Sequence, residues 1–216
     1  EQNKLWAGMA KETAHQIGTP LSSLLGWVAL LRMENANEET VSEIEKDVSR
    51  LNTIAERFSK IGSIPKLTKH DIIKETQVAF DYIQSRSFKQ IDFSFNTEND
   101  NPIYVDLNLQ LYSWVIENLV KNAIDAMQGK GAIQISISQE NSTAKILVTD
   151  NGKGIPKRLQ KKIFEPGYTS KKRGWGLGLS LAKRIIEDYS KGRIYVKKSE
   201  IGKGTTFQIE LKTIND

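Results

Sequence analysis

Apolar residues in the first sixty positions recur at a period near 3.5. Ala10, Ala14, Ile17, Leu21, Leu24, Val28 and Leu31 follow one another at steps of four and three. Val41, Ile44, Val48, Leu51, Ala55 and Phe58 repeat the rhythm. A seam of this kind commits each segment to a helix that must bury one narrow face against another helix. The polar, turn-prone run 34–39 (ENANEE) separates the two segments, so the spacing predicts an antiparallel helical hairpin over residues 1–64. Two helices alone enclose little core. Pairing two hairpins into a four-helix bundle is the economical solution, and it predicts a homodimer.

Gly62-Ser63-Ile64-Pro65 ends the second helix, and the pattern then changes. Residues 91–95, 133–138, 144–149, 192–197 and 205–211 alternate like half-buried strands. Helical patterns intervene at 71–85, 107–127, 156–163 and 177–189. The mixture predicts an α+β class, with helices covering one face of a sheet over residues 65–216. Hydrophobic residues at 38% and charged residues at 26% exclude a disordered chain. The absence of cysteine excludes disulfides, thiol catalysis and cysteine-ligated zinc, and two histidines, His15 and His70, exclude a multi-histidine metal site. No apolar run approaches the roughly 20 residues of a membrane span, and the opening EQNKLWAGMA does not read as a secretory leader. The net charge of +5 invites a nucleic-acid reading, but no recognition element accompanies it. Much of the concentrated positive charge lies at 157–162 (KRLQKK) and 170–173 (SKKR). Both runs flank glycines that suit a phosphate pocket better, while Lys197 and Lys198 read as a solvated face.

With Ala14 and Ile17 on the seam, His15 falls about 100° round the helix, on its outward face. A lone histidine there is ordinarily a surface residue without a task. Pro20 changes the reading: inside a helix it removes a backbone hydrogen bond and clashes with the Gln16 carbonyl, at a cost of roughly 3 kcal/mol. A bend one turn from an exposed imidazole implies that local geometry has a purpose. His15-Gln16-Ile17-Gly18-Thr19-Pro20-Leu21 resembles the phosphoacceptor box of sensor histidine kinases: His, an acidic residue, two variable positions, Thr or Asn, then Pro.

Further along, Asn118, Asn122 and Asp125 are spaced i, i+4, i+7 on a long helix and form one polar stripe, beside a small or apolar stripe of Leu119, Ala123 and Ala126. Carbonyl oxygens on such a stripe suit magnesium, which also takes oxygen ligands from substrate phosphates; a solvated helix face is the plainer alternative. Asp150-Asn151-Gly152-Lys153-Gly154-Ile155 follows a strand. A carboxylate at a strand end can accept a hydrogen bond from an adenine amino group, and Gly152 and Gly154 let the backbone approach the ring; in isolation the run is an ordinary Asp-Asn-Gly turn. Gly174-Trp175-Gly176-Leu177-Gly178-Leu179 opens a helix, where backbone N–H groups and the dipole favour phosphate. It lacks the spacing of a dinucleotide fold, and neither a P-loop nor a protein-kinase signature occurs. Gly202-Lys203-Gly204-Thr205-Thr206-Phe207 completes the set on the last hairpin.

The order carries more than any element. The asparagine helix, D-N-G-K-G, Ile163-Phe164-Glu165-Pro166, G-W-G-L-G-L and G-K-G-T resemble, box by box, the catalytic domain of histidine kinases, and the resemblance extends from His15 to the terminal strands. It implies the left-handed ATP-binding sandwich also found in DNA gyrase and a major heat-shock chaperone. It implies that Asn118 and Asn122 serve Mg2+ and phosphate, Asn122 being the more direct ligand, and that Asp150 recognises adenine with support from Thr205. Gly152, Gly154, Gly174, Gly176, Leu177 and Gly178 would line the nucleotide. Lys121, Lys171, Lys172 and Arg173 are further candidates for phosphate charge. Residues 153–174 would form a mobile lid anchored by Phe164.

The implied reaction transfers the γ-phosphoryl group of ATP to His15 and then to an aspartate of a response-regulator receiver domain docked on the bundle, with Thr19 resembling the residue that orients water for the reverse phosphatase activity. Gln16 departs from the family's acidic residue: its carbonyl accepts a hydrogen bond from the imidazole but does not take up the proton, and general-base help is typically worth about 10²–10⁴-fold. Trp175 replaces a small residue, and His70 receives no role. The main alternative is a phosphatase-biased or non-catalytic dimeric scaffold that binds nucleotide and docks a response regulator. A third reading, an ATP-hydrolysing relative of gyrase or the chaperone, leaves the His15–Pro20 box unexplained. The expected setting is the cytoplasmic portion of a longer, membrane-anchored sensor, with no membrane segment and no nucleic-acid partner in this stretch.

Overall fold

A computed structural model describes residues 20–34, 36–61, 65–87, 90–98, 101–170 and 176–214, with the backbone alone at 50 and 53–61. His15, Gln16 and Thr19 lie outside the described residues, as do Lys171, Lys172, Arg173, Gly174 and Trp175. The chain divides into two compact units, Glu1–Pro65 and Lys66–Asp216.

In the first unit, the polar run after α1 (residues 20–33) ends at Asn37, whose Oδ1 accepts from Thr40 N at 2.9 Å and caps α2 (Glu38–Ile61). Arg32 pairs with Glu45 at 2.7 Å, and Leu21 packs against Val48, so the two helices run antiparallel. Leu21, Val28, Val41 and Val48 are buried, whereas Leu24, Trp27, Ile44 and Leu51 remain open. Among the described residues, each seam is half used.

The second unit begins with β1 (Thr68–Asp71), then α3 (Ile72–Gln84), β2 (Ile91–Thr97), β3 (Tyr104–Leu107) and α4 (Leu109–Ala126). Next come β4 (Gly131–Glu140), β5 (Thr143–Asp150), α5 (Gly178–Arg184), β6 (Arg193–Glu200) and β7 (Gly204–Lys212). Asp71 caps α3 and Asn108 caps α4, each side chain accepting a backbone N–H of the first turn. The main sheet has the order β2-β4-β5-β7-β6; β2 is parallel to β4 and the other neighbours are antiparallel. Alternation decides its faces: Ile133, Ile135 and Ile137 of β4 and Ala144, Ile146 and Val148 of β5 are buried beneath the helices, while Gln134, between Ile133 and Ile135, is exposed on the other face. Phe80 of α3 meets Phe93 of β2 edge-on at 5.3 Å.

A buried polar pair joins α3 to α4. Thr76 Oγ1 donates to Ile72 O at 2.6 Å, leaving its lone pairs to accept the Tyr112 hydroxyl at 2.6 Å. Burial holds that phenol above its ordinary pKa.

Two features differ from the sequence pattern. A two-stranded ribbon of β1 and β3, absent from the expected strands, opens the second unit. There His70 bridges Thr68 Oγ1 at 2.8 Å and Glu75 Oε1 at 3.3 Å. The helix expected at 156–163 is instead a pair of 3₁₀ turns, Lys157–Leu159 and Lys162–Phe164. Pro166 forces Glu165 into extended backbone (φ −75°, ψ 138°), so no helix continues past Phe164.

Candidate functional site

Leu111, Val115, Leu119 and Ala123 commit one side of α4 to the core. That commitment turns the opposite edge, with Asn118 and Asn122 half-buried and Asp125 exposed, away from the sheet. Asn118 faces the start of α5. A Cβ built on Gly178 would lie 3.1 Å from Asn118 Oδ1, so any larger residue there would press on the carboxamide. Asn118 Nδ2 is buried without a hydrogen-bond partner. An amide donor in that state is costly unless a ligand satisfies it.

The Asp150–Ile155 run is docked on the end of the same helix. Lys153 N donates to Ala126 O at 3.1 Å, and Lys153 O accepts from Gly202 N at 2.9 Å in the β6–β7 turn. Asn151 Oδ1 accepts from Ala132 N at 2.9 Å. Gly154 takes φ +73°, and a Cβ there would run into Glu200 O; only glycine fits.

Asp150 ends β5 opposite Thr205 of β7 and is 5% exposed. Its Oδ1 accepts from Gly152 N at 2.8 Å. Burial pushes the carboxyl above its ordinary pKa, against the opposing pull of N–H donors from Gly152 and Thr205. Thr205 thus supports Asp150 through its backbone, while its hydroxyl engages Ser199 Oγ at 2.8 Å. Ser199 also accepts from Ile155 N at 2.8 Å, tying the glycine turn to the last hairpin. Nothing in the sequence pattern singles out Ser199, because it sits within an ordinary strand end.

Lys121, a candidate for phosphate charge, pairs with Glu117 Oε2 at 3.3 Å. Glu117, one helical turn before Lys121, is itself buried. Phe164 is buried edge-on against Phe207 at 6.2 Å. Gly167 N donates to Gly176 O at 3.0 Å, tying the turn after Pro166 to the residue two before α5. Leu177 O accepts from Leu181 N and so begins the α5 ladder.

An asparagine-edged helix, a buried strand-end carboxylate and glycine turns packed on both define a nucleotide-binding sandwich. Residues 109–215 match the family model described as histidine kinase-, DNA gyrase B-, and HSP90-like ATPase, an ATP-binding domain. Sporulation kinase D of Bacillus subtilis is 33% identical over 213 residues, which cover 94% of this chain and 41% of that protein. The catalytic domain of histidine kinase ThkA is 32% identical, with 68% of this chain and 96% of that domain covered at a TM-score of 0.62. A solved structure of histidine kinase ThkA in complex with the response regulator protein TrrA covers 96% of this chain and 61% of that one, at 26% identity and a TM-score of 0.63. The chain belongs to the sensor histidine kinases, and it comprises their catalytic core. It spans about two fifths of the length of the sporulation kinase it matches.

Proposed function

We propose that residues 65–216 bind ATP with Mg2+, and that its γ-phosphoryl group passes to a ring nitrogen of His15 and from there to a response-regulator aspartate. The observation that carries the nucleotide half is the buried, unpartnered Asn118 amide beside Gly178, at the N-terminus of α5. A phosphate oxygen satisfies that donor in a place where helix N–H groups also favour anions. Among the described residues no cluster of three or more His, Cys, Asp or Glu is placed to hold a metal. A carboxamide oxygen of Asn122, with the phosphates of ATP, fits the oxygen preference of Mg2+. Magnesium bound there neutralises phosphate charge. Asp150, with Thr205 behind it, accepts the adenine amino group, and the backbone at Gly152, Gly154, Gly176 and Gly178 leaves room for the nucleotide; Gly174 belongs to the same glycine run in the sequence. Lys171 and Arg173 supply further phosphate charge.

Residues 1–64 form the phosphoacceptor hairpin, and two copies form a four-helix bundle that covers the open half of each seam. The solved complex of histidine kinase ThkA with a response regulator supports a receiver domain as the partner. The core acts on the cytoplasmic side of a longer sensor; among the described residues no helix is long and apolar enough to cross a membrane. Phosphoryl transfer of this kind depends chiefly on positioning and charge neutralisation.

Incubation with labelled ATP tests the reading. An acid-labile, base-stable phosphoryl group is expected in the wild-type protein and absent in His15→Ala; label undiminished in that variant refutes it. Gln16 favours a second reading, a phosphatase-biased scaffold, with Thr19 orienting water. If Gln16 only orients the imidazole, Gln16→Glu raises the initial rate of phosphohistidine formation; an unchanged rate shows that no limiting base acts at this position.

A further inference from the structure

Eight of the 31 Lys and Arg but only one of the 26 Asp and Glu fall within residues 153–173, so the rest of the chain holds 23 basic against 25 acidic residues. The whole positive excess of the protein therefore resides in this one segment. Four of those cations, Lys157, Arg158, Lys161 and Lys162, sit on the paired 3₁₀ turns, and all four are exposed. None of their side chains takes part in an ion pair or a side-chain hydrogen bond. The turns themselves are fixed: Ile163 and Phe164 are buried beneath them, and Phe207 holds the Phe164 ring.

Both ends of this platform are fastened to the nucleotide site. Lys153 is hydrogen-bonded to the end of α4 and to the β6–β7 turn, and Gly167 is bonded to Gly176, two residues before the glycine that faces Asn118. No large apolar side chain among residues 153–170 is exposed, so the platform offers charge without a hydrophobic contact. Unpaired charge beside a concave site raises the local concentration of an oppositely charged ligand and speeds encounter without contributing to the bound contacts.

We infer that Lys157, Arg158, Lys161 and Lys162 form an electrostatic funnel that steers the polyanionic triphosphate of ATP into its pocket. They set the association rate and leave the dissociation rate alone. The inference rests on the ATP-binding reading and adds to it four residues that touch no phosphate in the bound state.

Stopped-flow association of a ribose-labelled fluorescent ATP analogue with the full chain tests this. At about 20 mM salt, the variant Lys157→Gln/Arg158→Gln/Lys161→Gln/Lys162→Gln is expected to associate about 5- to 10-fold more slowly than wild type. The gap closes near 0.5 M salt, where the screening length falls to about 4 Å, and the dissociation rate is unchanged throughout. Lys212→Gln is the control. Lys212 is exposed on β7, seven residues beyond Thr205 and so roughly 23 Å away along the strand, and its loss should change association less than twofold. Equal association rates in wild type and the quadruple variant overturn the funnel. So does a faster dissociation in the variant, which identifies direct phosphate ligands instead. If the wild-type protein binds no nucleotide, the pocket reading itself fails and takes the funnel with it.

Discussion

The two units bury their apolar residues to different extents. In the ATP-binding unit, Val115, Ile116, Leu119 and Val120 on successive turns of α4 are all at most 1% exposed, because α3, α5 and the sheet enclose them. In the hairpin, Leu21, Val28, Val41 and Val48 are at most 4% exposed, yet Leu24, Ile44 and Leu51, the alternate positions of the same seams, are open, as are Trp27 at 62% and Met33 at 79% exposure. One unit closes its own core. The other, among its described residues, buries alternate positions of each seam and leaves the rest lacking a surface to pack against, and exposed apolar area of this kind marks an interaction site. We attribute that missing surface to a second hairpin.

The largest expected effect breaks the comparison at its open side. Leu24→Glu/Ile44→Glu replaces two exposed side chains, a change that an isolated hairpin tolerates within about 0.5 kcal/mol. In a four-helix bundle it buries four carboxylates per dimer, which weakens association on the order of 10⁴-fold. Sedimentation velocity distinguishes the cases: a wild-type monomer, or a variant dimer of unaltered affinity, ends the bundle proposal.

The closed side is sharpened by Phe80→Ala. Phe80 is 1% exposed and touches Phe93 and Phe95 with its ring. Its truncation should cost about 3–5 kcal/mol, read as an earlier urea transition of the ATP-binding unit with dimer affinity unchanged. A loss below about 1 kcal/mol shows that the packing around β2 is looser than described.

How far each region was legible from sequence follows the same division. Alternation exposed β4, β5 and β7 because Ile133, Ile135, Ile137, Ile146, Val148, Phe207 and Ile209 meet one buried face. β1 reads Thr-Lys-His-Asp, with no apolar residue to alternate, and β3 is four residues long; their pairing is a tertiary event that local pattern does not record. Leu159 and Ile163 are spaced like a helix; Pro166, by holding Glu165 extended, explains why no helix runs on past Phe164, but nothing in the local pattern marks the break into two turns before it. Within the site, the asparagines and glycines were visible as motifs. The bracing by Ser199, and the fact that Thr205 supports Asp150 through its backbone rather than its hydroxyl, were not, because each depends on which atom of a residue faces the neighbour.

The smallest predicted effect lies in the buried carboxyl of Asp150 at the end of β5. An unfolded Asp150 ionises at the ordinary carboxylate value, and the folded one above it, chiefly because burial disfavours the anion. Between those two values the folded chain binds more protons than the unfolded chain, so this group makes stability fall as pH rises through the window and remain lower above it. The slope is bounded by one proton, at most about 1.4 kcal/mol per pH unit. Asp150→Asn keeps an oxygen for the Gly152 N–H and removes the charge. Urea titrations of the full chain from pH 4 to 7 should therefore show the variant gaining stability over wild type as pH rises, while its affinity for ATP falls because a carboxamide cannot replace the buried anion at the adenine amino group. If the difference in stability is flat with pH, Asp150 ionises as freely as in the unfolded chain and its burial carries no cost.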